Sequence, residues 1–383
     1  MMKPLKIIGA SFLLALLLIT GCRKGDKIVP PVVTPVDTAN PHAPYNGIYL
    51  LNEGNMGSNK ASLDYYDYTT GTYSKNIYGT SNPTAVKDLG DVGNDIQVYG
   101  TKLYAVINVS NKVEVMEAAT TKRIQQINIL NCRYITFANG KGYISSYAGP
   151  VKIDPKSPIG FVAEIDTATL QITRKVNVGY QPEEMAVVGD RLYVANSGGY
   201  RVPNYDSTVS VIDLNTFTEI KKINVAINLD RLKADDHGNI YVTSRGDYYS
   251  VPSDLYVIDT KTDQVTRKFG VAASNICISG DTAYVYGSQF NYTTNTWKIS
   301  YNMINVNTQT VLNTNFITDG TERSIKMPYG IAVNPATKEI FVTDARDYVS
   351  SGTLFCFDKT GIKKWSVATG EIPAHIVFVS GNK

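Results

Sequence analysis

The chain has 383 residues, with 37 Lys and Arg against 34 Asp and Glu and a formal net charge of +3. Setting aside Lys3 and Lys6 near the start leaves 35 basic residues against 34 acidic ones, so there is no concentrated basic groove for a nucleic-acid backbone. Only three His and four Cys are present, which makes a His-dependent triad hard to build and gives no disulfide framework or Cys-x-x-Cys metal spacing.

Residues 1–21 carry Lys3 and Lys6, then the apolar run "IIGASFLLALLLI", then "TGC". This is the pattern of a secretory signal, too short to span a bilayer, ending in small residues before a cysteine. Cys22 is therefore the expected lipidation site, and the mature protein is expected to be held to a membrane by acyl chains without crossing it. Residues 22–46 hold five of the 16 Pro and no sustained apolar period, and read as a semi-extended tether.

From residue 47 onward one phrase recurs: apolar-Tyr-Val, a loop, apolar-Val-Ile-Asp, Thr, then a basic-apolar run. Clear copies are "TKLYAVIN…KVEVMEAATTKRIQQIN", "RLYVANSG…TVSVIDLNTFTEIKKINV", "NIYVTSRG…DLYVIDTKTDQVTRKFGV" and "EIFVTDAR…TLFCFDKTGIKKWSV". The residues that end the third strand of each unit, Asp67, Glu117, Asp166, Asp213, Asp259, Asn305 and Asp358, lie roughly 46 to 53 residues apart, the length of a four-stranded propeller blade. Within a unit the alternation has a period of two, as in Leu192 and Val194 against Tyr193 and Ala195, and predicts half-buried strands rather than helices. Residues 47–383 are thus expected to form an all-β, seven-bladed propeller. The last segment, "PAHIVFV", resembles the innermost strand of the other units and has nothing after it to pair with. It is expected to join "GIYLLNEGN" and close the ring with a blade built from both chain ends.

Loops joining third to fourth strands are short and bland, whereas those joining second to third strands are long and rich in Tyr, Asn, Asp and Arg, as in "SSYAGPVKIDPKSPIG", "NSGGYRVPNYDST", "SRGDYYSVPSD", "GSQFNYTTNTWKIS" and "DARDYVSSG". All of the long ones emerge on one face. Rigid aromatics on long loops are the means by which scaffolds hold ligands, so this face is the expected binding surface. Its candidate ligand-binding residues are Asn52, Asn108, Tyr147, Asn196, Tyr200, Arg245, Tyr248, Phe290, Trp297, Arg346 and Tyr348: amides for hydrogen bonding, aromatics for contact area, and guanidinium forks for carboxylate or phosphate. A second set, Asp95, Tyr134, Glu184, Arg231, Asn275 and His375, occupies equivalent places in the innermost strands and is expected at the channel mouth. Cys132, Cys277 and Cys356 read as buried small hydrophobes.

No nucleophile elbow, His-x-x-x-His pair, phosphate-cradling glycine loop or nicotinamide fingerprint occurs in a suitable context. The expectation is a binding protein and not an enzyme, with no catalytic residues, no catalytic cofactor and no metal. The alternatives are a glycan- or protein-binding scaffold on the same face, or a propeller lyase or hydrolase using an acid and base around Glu184 and His375.

The signal ending in Cys22, the Pro-rich tether, the opening "LLNEGNMGS" and the "LYV.N…VSVID..T.E..K.I.VG..PE" repeats together resemble the Bacteroidetes YncE-like propeller lipoproteins, over essentially the whole chain. That group includes a vitamin B12-binding surface lipoprotein that caps an outer-membrane cobalamin transporter. The resemblance implies a lipid-anchored protein at the outer-membrane surface that captures cobalamin or a related corrinoid on the long-loop face and passes it to a TonB-dependent transporter. A corrin rimmed with amides and carrying a phosphate would suit the Asn, Arg and Tyr inventory. A quinone-cofactor dehydrogenase would instead be expected to show eight blades with tryptophan-docking repeats, and this chain has only Trp297 and Trp365.

Overall fold

A computed structural model describes residues 31–85, 88–292, 294–312 and 315–380. The signal segment, Cys22 and the first part of the tether lie outside the described residues. Seven antiparallel sheets follow one another around a ring, six of them four-stranded and taken from consecutive sequence. The seventh is built from both ends of the propeller: Pro373–Val379 pairs with Gly47–Asn52, which pairs in turn with Ser62–Asp67 and then Thr72–Ser74. The last strand therefore closes the ring as its unpaired sequence implied. The sheet is called blade one below, and the rest are numbered along the chain.

The recurring Asp of the third strand has a local cause. Its carboxylate accepts backbone N–H groups two or three residues ahead, from Ala168 and Thr169 at Asp166, Asn215 and Thr216 at Asp213, and Lys261 at Asp259. Each such bond fixes the tight turn into the outermost strand. The period read from these residues is the period of that turn.

The strand alternation has a different meaning from the half-buried one expected. Second strands are buried along their whole length, for example Gly47–Asn52 and, after its first residue, Arg191–Asn196. Leu192 and Val194 pack towards blade three, while Tyr193 and Ala195 pack towards blade five. Both faces of a blade meet a neighbour, so period two separates one neighbour from the other and not core from solvent. Seven apolar clusters result, one between each adjacent pair of blades. The repeated Tyr of the second strand reaches across this joint. Its hydroxyl donates to the next blade, from Tyr49 to the Ala118 carbonyl at 2.7 Å, Tyr193 to Asp263 at 3.1 Å and Tyr241 to the Val306 carbonyl at 3.1 Å. What reads as a strand-forming aromatic is also an inter-blade staple.

The tether departs from its expected form over residues 33–46. Val33–Pro35 pairs with Thr72–Ser74 as a fifth, outermost strand of blade one. Beyond it, Val36, Ala43 and Tyr45 pack on the cluster between blades seven and one, Asp37 accepts Lys364 Nζ at 2.9 Å and Trp365 Nε1 at 3.2 Å, and Tyr45 meets Phe378 at 5.4 Å. A Pro-rich stretch can do this because an edge strand needs only one of its two rows of backbone groups. Removing residues 31–45 should cost on the order of 2 to 4 kcal/mol, the burial of about two apolar side chains. Urea denaturation of the trimmed and full-length proteins measures it, and an unchanged midpoint would show the segment to be energetically idle.

Among the three described cysteines, Cys132 and Cys356 are buried, while Cys277 is only partly so and lines the central channel. All three are free thiols.

Candidate functional site: an aromatic cleft over the central channel

On the face that carries the long loops, blades five, six and seven enclose a cleft of about 600 Å³, within the range of small-molecule sites. Its walls are Tyr248, Tyr249 and Val251 from blade five, Phe290, Tyr292 and Trp297 from blade six, and Tyr348 from blade seven. Its floor is Asp230, Arg231, Tyr286 and Tyr329, with Arg245 at one side.

Blade six supplies the tallest wall because its middle hairpin is overgrown. Thr282–Asn291 and Thr296–Asn305 run ten residues each and stay paired to the tip, with Phe290 opposite Trp297. The extra length lifts three aromatics clear of the ring, where they pack on one another. Phe290 lies 4.9 Å from Tyr292 and 5.3 Å from Trp297, both edge to face. Tyr292 also stacks on Tyr249 of blade five at 5.2 Å and 13°, the offset geometry that ring quadrupoles favour. Tyr249 is nonetheless 81% exposed and Trp297 49%, so the wall presents apolar area to solvent.

The flanking walls are two copies of one turn. In Asp247-Tyr248-Tyr249-Ser250, Asp247 accepts the Tyr249 and Val251 amides at 2.9 and 2.7 Å and the Ser250 hydroxyl at 2.8 Å. In Asp347-Tyr348-Val349-Ser350, Asp347 accepts the Val349 and Ser350 amides at 3.0 and 2.7 Å and the Ser350 hydroxyl at 2.8 Å. The backbone amides pull each Asp carboxyl down to about 2. Both tyrosines, Tyr248 and Tyr348, are held at positive φ, 65° and 63°, a conformation that bulky residues adopt only when their surroundings impose it. Asp247→Ala should release Tyr248. Hydrogen exchange at the Tyr249 and Val251 amides is expected to quicken at least about tenfold, the loss of roughly one charge-assisted hydrogen bond; unchanged exchange would mean that the loop holds its shape by other means.

Of the residues expected to bind ligand, the structure brings Arg245, Tyr248, Phe290, Trp297 and Tyr348 together around this cleft. The others are elsewhere. Asn52, Asn108 and Asn196 are fully buried and spent on the fold: Asn52 donates to the Ser62 hydroxyl at 3.1 Å, Asn108 to the Cys132 carbonyl at 2.8 Å, and Asn196 to the Ser210 hydroxyl at 2.9 Å while accepting the Gly179 amide at 3.0 Å. A recurrent Asn at the end of the second strand thus ties down the loop rather than offering its amide outward. Tyr147 is buried with its hydroxyl donated to Glu183. Tyr200 packs beside it, 6.2 Å away on blade four. Arg346 is exposed, with its guanidinium 3.4 Å from the Ser351 carbonyl, and does not line the cleft.

The channel set is assembled, although deeper than a mouth. Asp95, Glu184, Arg231, Asn275 and His375 line a passage of about 250 Å³ below the cleft, and Tyr134 joins them through Arg231, whose Nη1 donates to its hydroxyl at 2.6 Å. Several of them brace neighbouring blades. Asp95 accepts the Ile135 amide at 3.0 Å, Glu184 accepts the Leu232 amide at 2.8 Å and pairs with Lys233 at 2.6 Å, and Asn275 donates to the Tyr329 carbonyl at 3.0 Å. His375 lies 3.4 Å from Glu53 and 3.9 Å from Asp95. Among the described residues, no group of three or more His, Cys, Asp or Glu is placed to hold a metal ion.

Between channel and cleft runs an ion network that links the expected Arg245 and Arg231 through Arg133, Glu183 and Asp230, three residues the sequence did not single out. Glu183 is fully buried and receives Arg133 Nε at 3.0 Å and Arg245 Nη1 at 3.2 Å. Arg245 continues to Asp230 at 2.7 Å, and Asp230 stands 3.7 Å from Arg231. Burial alone would push the Glu183 carboxyl up, but Arg133 and Arg245 hold it below its ordinary value. At Asp230, by contrast, burial prevails over Arg245 and Arg231 and raises the carboxyl.

Fold and site together define a seven-bladed β-propeller whose long loops build an aromatic cleft above a charged channel. The sequence profile of the family described as domain of unknown function DUF5074 matches residues 46–380, and the chain belongs to that family. No curated protein matches it. Among solved structures it is similar to a quinonprotein alcohol dehydrogenase-like protein from Bacteroides thetaiotaomicron, with a TM-score of 0.60 and 16% identity over 88% of this chain and 79% of that one. It is also similar to hydrazine synthase from Kuenenia stuttgartiensis, with a TM-score of 0.56 and 14% identity over 70% of this chain and 76% of that one. At such identities the likeness is one of fold.

Proposed function

We propose that this protein is a lipid-anchored binding protein of the outer-membrane surface that takes a corrinoid, cobalamin or a close relative, into the cleft between blades five and seven and hands it to a TonB-dependent transporter, without turnover. The aromatic cleft carries this assignment. Four kinds of observation converge there: volume, exposed rings, rigid tyrosine turns and guanidinium groups at the floor. A corrin is a broad apolar plate with a rim of amides, and contact with it needs flat, stiff side chains that lose little entropy on binding. Tyr248, Tyr348 and the Phe290, Tyr292 and Trp297 wall are of that type, since their own packing or turns fix them before a ligand arrives. Anchoring through Cys22 and delivery to a transporter rest on the sequence resemblance.

Titration of the protein with cyanocobalamin, followed by the corrin absorbance, tests the reading. Stoichiometric saturation is expected. No spectral change at tens of micromolar would remove the corrinoid and leave a glycan or protein partner for the same face.

A further inference from the structure

The cleft floor carries more positive charge than its own carboxylates neutralise. Of the charged residues that line it, Arg231 and Arg245 stand against Asp230 alone, and behind them Arg133 and Glu183 add one charge of each sign, three guanidiniums against two carboxylates in one connected network. The next pair down the channel, Lys233 with Glu184, is self-compensating; Glu53 and Asp95 are grouped around His375, and Glu53 also accepts the hydroxyl of the floor residue Tyr329 at 2.9 Å. Donors also remain free. Arg231 is 9% exposed, yet its buried Nε has no hydrogen-bond partner, because Asp230 at 3.7 Å is too distant for one. Only Nη1 is engaged, with Tyr134. Arg245, on the other side of Asp230, is the more open of the two and lines the cleft directly.

The geometry points to an anion subsite: Arg231 and Arg245, set on either side of Asp230, receive a phosphate-type anion attached to the flat body that the aromatic walls hold. The inference rests on the reading that this cleft is the ligand site, but not on the ligand being a corrinoid. A planar guanidinium fork suits tetrahedral and carboxylate oxyanions alike, and Asp230 between the two forks sets their spacing while limiting how much negative charge the floor accepts. A single phosphate or carboxylate group suits that small excess; a polyanion does not.

Flavin mononucleotide and riboflavin test this, since they share one flat ring system and differ by one phosphate. With the full-length protein, flavin fluorescence polarisation should show flavin mononucleotide binding about tenfold more tightly than riboflavin, the worth of one charge-assisted contact. The advantage should shrink as salt is raised while riboflavin binding stays constant. Arg231→Gln should bring the two ligands to equal affinity. If that variant does not fold, Arg231→Lys keeps the charge but not the fork, and should leave less than half of the preference. Equal affinities in the unaltered protein, a preference insensitive to both salt and Arg231, or no binding of either flavin at millimolar concentration would each overturn the subsite. Cyanocobalamin binding with no phosphate preference among flavins removes the subsite alone; the reverse result removes the corrinoid alone.

Discussion

Replacing Trp297 by Ala should weaken cyanocobalamin binding by about thirtyfold or more, the effect of losing a contact worth roughly 2 kcal/mol. Three features place this residue among the strongest contributors. It stands at the tip of the overgrown blade-six hairpin opposite Phe290, it leans edge to face on that ring at 5.3 Å, and nearly half of its surface is open to a ligand. Loss of the indole removes contact area and also the support that holds Phe290 upright. The chain's other tryptophan provides the control: Trp365 is buried between blades seven and one against Tyr66 and Phe341. Trp365→Phe should leave affinity unchanged while lowering stability. Equal affinities for Trp297→Ala and the unaltered protein would move the site off this wall.

Glu183→Ala should lower folding stability by about 3 to 5 kcal/mol, the cost of leaving buried charge without its partner. Arg133 and Arg245 would then lose their shared carboxylate, and Tyr147 the acceptor for its hydroxyl. The pH dependence follows from the direction of the shift. A carboxyl held lower in the folded state than in the unfolded one contributes stability that is fully present above its unfolded pKa and is lost as pH falls through the folded value. Stability of the unaltered protein should therefore decline below about pH 4, the ordinary range for Glu. Asp230, raised by burial, works in the opposite direction, so the comparison with Glu183→Gln is the informative one. Chemical denaturation at neutral pH and at pH 4 should show the gap between the two proteins narrowing in acid. A constant gap would mean that Glu183 is not held in its charged form by the two arginines.

Most of the architecture was legible because one turn repeats. The polar residue that ends each third strand, Asp in five of the seven, marks the bend that follows, so its spacing counts the blades, and the partnerless final strand announces the closure. The site was legible in part, and particular residues show why. Trp297, Phe290 and the two Asp-Tyr turns stand out as aromatics in stretches that read as long loops, although Phe290 and Trp297 prove to lie in the paired strands of the extended blade-six hairpin. Asn52, Asn108 and Asn196 misled because an amide that satisfies a buried backbone group looks, in sequence, like one that offers itself to a ligand. Glu183 and Asp230 were hidden by irregular register. The inner strands carry β-bulges between Pro182 and Met185 and between Leu229 and Leu232, and a bulge breaks strict alternation. Consecutive residues such as Glu183 with Glu184, or Asp230 with Arg231, can then both serve the channel and cleft. The fifth strand at Val33–Pro35 gave no sustained apolar period because it is held chiefly by backbone pairing, with Val33 exposed.

The cleft between blades five, six and seven is where the ligand is proposed to sit. A crystal structure of the protein with cyanocobalamin tests this most directly. Corrin density between Tyr248, Trp297 and Tyr348 is the predicted result. An occupied corrinoid anywhere else on the propeller, with the aromatic walls unchanged and empty, would contradict it.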